Sequence, residues 1–437
     1  SGFEDVLSSG IVLTGGASVM PGMARARRLS FSLQNQIEAD DGPEFFIDED
    51  GTYRAVRWTN DGWVQIIEGF GSDTVATDVA GNGLVVVGSS YDRFFMRRAF
   101  RWTSEGGTED LGTLGGPEAH AVAISSDGLV TVGQATDRSG RTRAFRWTRA
   151  GGMKDLGVLD RGSFGSIAVG VSADGEVVMG NSSSARTRTG VEPFRWTASR
   201  GMERLSGDLP TGLDGAEVRS ISADASVVVG IGWKSSTPNV TPRRPLPIRW
   251  TADRGWQLLG GFTSTASEGA AVAVSGDGGT TVGTVSVPRR GDAVIWTLDA
   301  PMRALGIPAE NTYEGARPWA ASFNGRIIVG SVNVAGQQYA CRWTEREGLT
   351  FLKEFPSLYQ YSAATGISDD GTVIVGGDAG LGSFVWEPET GMVSLWKRLV
   401  NLGVNPASQA WLTLDGPQSI SGNGRFMCGS GFRGKSD

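Results

Sequence analysis

The feature that most constrains this chain is a short signature that returns eight times. An aromatic or aliphatic residue followed by Arg-Trp-Thr stands at Val56-Arg57-Trp58-Thr59, Phe100-Arg101-Trp102-Thr103, Phe145-Arg146-Trp147-Thr148, Phe194-Arg195-Trp196-Thr197, Ile248-Arg249-Trp250-Thr251 and Cys341-Arg342-Trp343-Thr344. Two copies are degraded, Val294-Ile295-Trp296-Thr297 and Phe384-Val385-Trp386-Glu387. Successive tryptophans of the eight lie 43 to 54 residues apart. A period of that size marks stacked units that share a core, and it suits four strands per unit. It overrides the length of 437 residues, which alone would suggest two or three domains.

Between successive tryptophans lies a β-branched run ending in Gly, at Gly88, Gly133, Gly180, Gly230, Gly283, Gly330, Gly376 and Gly429. Each run follows a two-residue turn: Asn82-Gly83, Asp127-Gly128, Asp174-Gly175, Asp224-Ala225, Asp277-Gly278, Asn324-Gly325, Asp370-Gly371 and Asn423-Gly424. Asn-Gly and Asp-Gly tolerate the positive φ of a tight hairpin. After each Trp comes Gly, an apolar residue, two variable positions and Leu, as in Gly152-Met153-Lys154-Asp155-Leu156. One unit then reads as strand A (121–125), turn, strand B (129–132), strand C (143–148) and strand D (152–157), an antiparallel meander. Gly reaches 65 residues without a collagen period, as a turn-dense all-β chain requires.

Phasing predicts how the units close. The first signature is a strand C at Trp58 followed by a strand D, and the last is an A–B hairpin at 419–429 with nothing after it. Seven units are whole, and the eighth unites N-terminal C–D strands with C-terminal A–B strands. The expected fold is an all-β, eight-bladed β-propeller of four-stranded antiparallel blades over 53–437, closed so that no sheet edge is left free. Along strand C, Phe145 and Trp147 share one face while Arg146 and Thr148 share the other. Both faces of a blade meet neighbours. Hence Arg57, Arg101, Arg146, Arg195, Arg249 and Arg342 are expected to bond turn carboxylates or carbonyls between blades, beside the core residues Trp58, Trp102, Trp147, Trp196, Trp250, Trp296, Trp343 and Trp386.

These motifs resemble the bacterial extracellular HAF repeats, whose units carry an Ala-Phe-Arg-Trp-Thr strand, an Asp-Leu-Gly-x-Leu-Gly-Gly strand and an Ile-Ser-x-Asp-Gly turn. The nearest matches are 99–103, 110–116 and 124–128, and the resemblance covers 53–437. It implies secretion and a propeller-like fold, and no established activity. The stretch 391–402 is similar to a short helical insertion of some members, and its apolar positions 392, 395, 396, 399 and 400 follow helical spacing.

Charge and composition exclude several classes. A net charge of -7 and no basic stripe argue against nucleic acid, and on the whole-chain balance against anionic membrane surfaces. No apolar run approaches the ~20 residues of a membrane helix. A chain that begins at Ser1 is expected to be a mature, extracellular product whose signal peptide has been removed. Cys341 and Cys428 fall in non-adjacent units and read as buried thiols.

No cofactor or catalytic motif survives its context. The C-terminal Gly429-Ser430-Gly431-Phe432-Arg433-Gly434-Lys435-Ser436 matches a phosphate-loop pattern, but a helix must follow the Lys-Ser and the chain ends at Asp437. His120 is the single histidine and reads as a loop residue before strand A, without partners for a triad or a metal site. Asp48-Glu49-Asp50-Gly51 has calcium-like density but lacks the loop's closing Glu.

Functional expectation therefore moves to residues 1–52, which carry no repeat. A β-prone run of Ile11, Val12 and Leu13 precedes a basic patch of Arg25, Arg27 and Arg28 and then an acidic stretch. Such a segment can add a strand to a neighbouring sheet, and head-to-tail contacts that do not close propagate into filaments. The expectation is a non-enzymatic, self-assembling extracellular protein whose partners are copies of itself. The alternatives are a glycan-binding propeller with Trp233, Trp256 and Tyr313 as exposed aromatics, and a polysaccharide lyase or glycoside hydrolase.

Overall fold

A computed structural model describes residues 52–59, 64–159, 165–187, 190–234, 244–260, 268–287, 290–306, 313–352, 361–379, 381–409, 411–414 and 417–433. The chain is all-β and built chiefly of four-stranded antiparallel sheets. In sequence order they span 71–110, 115–155, 166–204, 215–258, 269–304, 313–351 and 362–394. A parallel contact of Gly291 with Gly315 joins the fifth to the sixth. One further sheet is composite: Thr52–Thr59 pairs with Val64–Ile67 on one side and, from Thr52 opposite Arg433 to Thr59 opposite Phe426, with Phe426–Arg433 on the other. Trp411–Leu414 and Ser419–Ile420 line the far side of Phe426–Arg433.

The second sheet shows why the repeat folds this way. Its strands are Gly115–Ile124, Val130–Asp137, Thr142–Thr148 and Gly152–Asp155. In the first turn the Asp127 carboxylate accepts the Leu129 N–H at 2.9 Å, while Ser125 Oγ donates to Asp127 and accepts the Val130 N–H at 3.0 Å. The same Ser–Asp bond recurs at Ser172–Asp174, Ser222–Asp224, Ser275–Asp277 and Ser368–Asp370. Ala225, which replaces the turn Gly, is held at φ +54°.

Strands A and B run farther than the sequence suggests, because a second tight turn closes only at 137–141. There the Asp137 carboxylate accepts the N–H groups of Ser139 and Arg141 at 2.8 and 3.0 Å. His120 consequently lies inside strand A, not in the loop expected before it.

The Gly that ends each B run has a steric cause. Strand A slips by one residue between Ala121 and Ala123, and the bulge drives the His120 carbonyl to 2.0 Å from where a Cβ on Gly133 would stand. The equivalent carbonyl stands 2.0 to 2.1 Å from the same point at Gly88, Gly180, Gly230, Gly283, Gly330 and Gly376.

Consecutive sheets pack face to face. Phe145 and Trp147 of the second pack with Val85, Val87, Ala99 and Leu111 of the first, all buried. Each such aromatic contributes ~2–3 kcal/mol of apolar burial. Backbone bonds also pass from turn to turn: Ser126 N–H to Ala173, Ala173 to Ala223, Ala223 to Gly276, then Asp277 to Phe323, Phe323 to Asp369 and Asp369 to Gly422, at 2.7 to 3.0 Å. This chain of bonds links the second sheet to the composite one.

The helix expected over 391–402 is shorter. Gly391–Ser394 pairs with Phe384–Glu387 as a strand D, so the helix Leu395–Asn401 starts only after Ser394, with Leu395 and Leu399 buried.

Candidate functional site

Six strand-C arginines were expected to bridge sheets, and the structure places them differently from one another. Arg101 reaches the Gly128 carbonyl of the next sheet at 3.4 Å, and Arg146 reaches that of Gly175 at 3.3 and 3.2 Å. Arg249 donates to the Thr297 carbonyl of the next sheet at 3.1 Å. The guanidiniums of Arg57, Arg146 and Arg342 lie 5.6, 5.7 and 4.8 Å from the ring centres of Trp102, Trp196 and Trp386, each one sheet further on. Arg195 pairs inside its own sheet with Glu203 at 3.6 Å. The tryptophans are buried at Trp58, Trp102, Trp147, Trp196, Trp250, Trp296 and Trp386 and half-buried at Trp343. Trp250 and Trp296 donate back to the Ser206 and Gly260 carbonyls of the preceding sheet, both at 2.9 Å.

One junction departs from this pattern. In the fifth repeat strand D shrinks to Arg303–Ala304, leaving 298–302 as a loop. Between the fourth and fifth sheets this opens a groove of about 680 Å³ whose walls include Arg249, Arg254, Gln257, Trp296, Asp299 and Met302. Arg249 grips Gln257 Oε1 through Nε and Nη2 at 3.1 and 3.0 Å. Arg254 spans the groove to the Leu298 carbonyl and to Asp299 Oδ1, both at 3.1 Å. The Asp299 side chain is 83% exposed and that of Arg254 45% exposed, so this ion pair is weak. Burial, with the charge of Arg254 beside it, pulls the Arg249 guanidinium below its ordinary pKa, while Asp299 acts the other way. The groove therefore holds two neighbouring cations, an indole and apolar ground from Leu258 and Met302. The sequence signal was Pro301, which stands where strand D of the neighbouring repeats opens on Gly.

The other candidates scatter. Trp233 is half-buried and donates to Glu217 at 3.1 Å, Trp256 is half-buried opposite Trp250, and the Tyr313 side chain lies outside the described residues. So do Ile11, Val12, Leu13, Arg25, Arg27, Arg28 and the 48–51 run. The phosphate-loop match fails on structure, because Gly429 to Arg433 spend their backbone in the ladder with 52–56. Burial, with the Arg97 charge, lowers the His120 pKa to about 4, so the ring is neutral, and its buried Nδ1 has no hydrogen-bond partner. Cys341 and Cys428 are free and buried, and burial raises the Cys341 thiol to about 12. Among the described residues no group of three or more His, Cys, Asp or Glu could hold a metal, and no helix is long and apolar enough to cross a membrane.

Sequence reasoning missed Asp78. Its buried carboxylate accepts the Ile124 N–H of the second sheet at 3.0 Å, the Ser419 hydroxyl of the composite sheet at 2.8 Å and its neighbour Val79 N–H at 2.9 Å. Burial raises its pKa, and these three bonds oppose the rise.

No family model matches the chain, and no curated protein matches it. Solved structures do, one of them a β-propeller domain by name. The β-propeller domain of the Trilobed protease from Pyrococcus furiosus is 11% identical with a TM-score of 0.46, over 73% of this chain and 97% of that one. A puromycin hydrolase is 15% identical with a TM-score of 0.47, over 76% of this chain and 56% of that one. TolB from Acinetobacter baumannii is 13% identical with a TM-score of 0.36, over 58% and 63%. The chain thus spans less than two thirds of the hydrolase and of that TolB. These neighbours correct the expectation of a non-enzymatic, filament-forming protein: two of the three are a hydrolase and the β-propeller domain of a protease.

Proposed function

We propose that the chain is an eight-bladed β-propeller of the HAF-repeat type, working outside the cytoplasm, that recognises acidic glycan in the groove between its fourth and fifth sheets. Support for a closed ring comes from the composite sheet, from the turn-to-turn bonds, and from Asp78, which ties the first, second and composite sheets. The observation that carries the function is the pair Arg249 and Arg254 beside Trp296, with Arg254 held by a highly exposed Asp299. A sugar carboxylate can displace that aspartate at little cost and form a charge-assisted bond with a planar guanidinium, while Met302 and Leu258 offer apolar ground to a pyranose face.

Calorimetric titration with a tetrasaccharide of galacturonic acid at low salt tests the reading. Binding is expected, and Arg254→Ala weakens it about tenfold, equivalent to ~1.4 kcal/mol. Absence of binding, or equal binding by the variant, defeats it. Chromatography of the same mixtures reads whether the groove also cleaves the chain.

A further inference from the structure

The hairpin between strands B and C of the first sheet presents an apolar tip that the repeat does not require. In the second sheet the corresponding turn is Asp137-Arg138-Ser139-Gly140-Arg141, and in the first it is Asp92-Arg93-Phe94-Phe95-Met96. The backbones match bond for bond: Asp92 accepts from the Phe94 and Met96 N–H groups at 2.8 and 3.0 Å, as Asp137 does from Ser139 and Arg141. Gly140 takes φ +74°, and Phe95 is forced to φ +60°, a conformation costly for a bulky side chain. Neither ring is buried in return, since Phe94 is 64% and Phe95 77% exposed, with Met96 at 38%. Folding alone would replace both.

Charge around the tip opposes the balance of the whole chain. Residues 91–98 and 136–143, the tips of two adjacent sheets, carry six arginines against two aspartates in a protein of net charge -7. Arg93 is exposed and lies 4.8 Å from the Phe94 ring centre, and Arg97 spends its bond on the neutral Tyr91 hydroxyl at 2.9 Å. The Arg98 charge is offset by Asp110, and Asp137 serves Arg141 and Arg143. The feature is convex, so it needs a soft or concave acceptor. Phenylalanine rings enter the boundary between headgroups and acyl chains of a bilayer, and each nearby Arg adds attraction to anionic lipid.

We propose that this tip docks the protein reversibly on an anionic lipid surface, with Phe94 and Phe95 entering the interface and Arg93 and Arg138 meeting headgroups. Sedimentation of the full chain with phosphatidylglycerol–phosphatidylcholine vesicles, and with phosphatidylcholine alone, reads it. Binding to the anionic vesicles is expected, falling with salt. The double variant Phe94→Ser/Phe95→Gly, which installs the second sheet's residues, should weaken it at least about fivefold while unfolding no earlier on heating. No binding by the parent chain, or equal binding by the variant, overturns the proposal. So does parent self-association that the variant abolishes in the absence of vesicle binding, which would assign the tip to a protein pocket.

Discussion

The first and second sheets are close copies of one unit, and what differs between them separates scaffold from addition. Phe100 and Phe145 are fully buried at matching positions, and Trp102 and Trp147 follow them in register. Both sheets bulge in strand A, and both close their B–C hairpin on an aspartate. Two of the differences matter most. Asp78 stands where the second sheet has Ala123, and Phe94-Phe95 where it has Ser139-Gly140. The shared residues make a sheet of this kind. Asp78 ties its sheet to the composite neighbour, and Phe94-Phe95 offer something to solvent.

The largest effect should fall equally on both copies. A Cβ at Gly88 would stand 2.1 Å from the Val75 carbonyl, and one at Gly133 would stand 2.0 Å from that of His120. Because each obstacle is backbone, Gly88→Ala and Gly133→Ala should each cost about 3 kcal/mol in urea unfolding. Losses that differ by more than ~1 kcal/mol would break the equivalence of the two sheets.

Such sameness is what the sequence exposes well. Asp-Gly pairs, the Arg-Trp-Thr period and the Gly after each β-branched run mark strands B, C and D because local sterics write them into neighbouring residues. The bulge that makes Gly133 obligatory was not legible, since its cause is a carbonyl on another strand. Asp78 was hidden for the same reason at longer range: its partners Ile124 and Ser419 lie 46 and 341 residues away. The groove left a trace in Pro301, which stands where the neighbouring repeats have Gly. The Phe94-Phe95 tip shows only when 92–98 is written beneath 137–143.

Asp78→Ala converts the first sheet toward the second and should cost about 2 kcal/mol, because Ile124 N–H and Ser419 Oγ lose a buried acceptor. The cost has a predictable pH sign. Burial raises the carboxyl above its ordinary 3.8, so the folded chain holds a proton that the unfolded chain releases. The stabilisation is complete below the ordinary value and is lost as pH rises through the raised one. The penalty of Asp78→Ala should therefore be largest in acid and shrink toward neutral pH. A penalty that grows with pH would mean that Asp78 is held as a stabilised carboxylate.

The smallest effect runs the other way. Phe95→Gly removes a left-handed conformation that costs a non-glycine residue ~1–2 kcal/mol, but it also frees the unfolded chain, which takes back ~0.5–1 kcal/mol. The variant should gain less than about 1 kcal/mol, and Gly140→Phe in the second sheet should lose about as much. Opposite signs at the two positions, read by urea unfolding, would show that one backbone turn sets both costs and that the first sheet keeps its phenylalanine against its own stability. A loss at Phe95→Gly would instead mean that the ring stabilises the hairpin it stands on, and the case for an outside acceptor at this tip would fall with it.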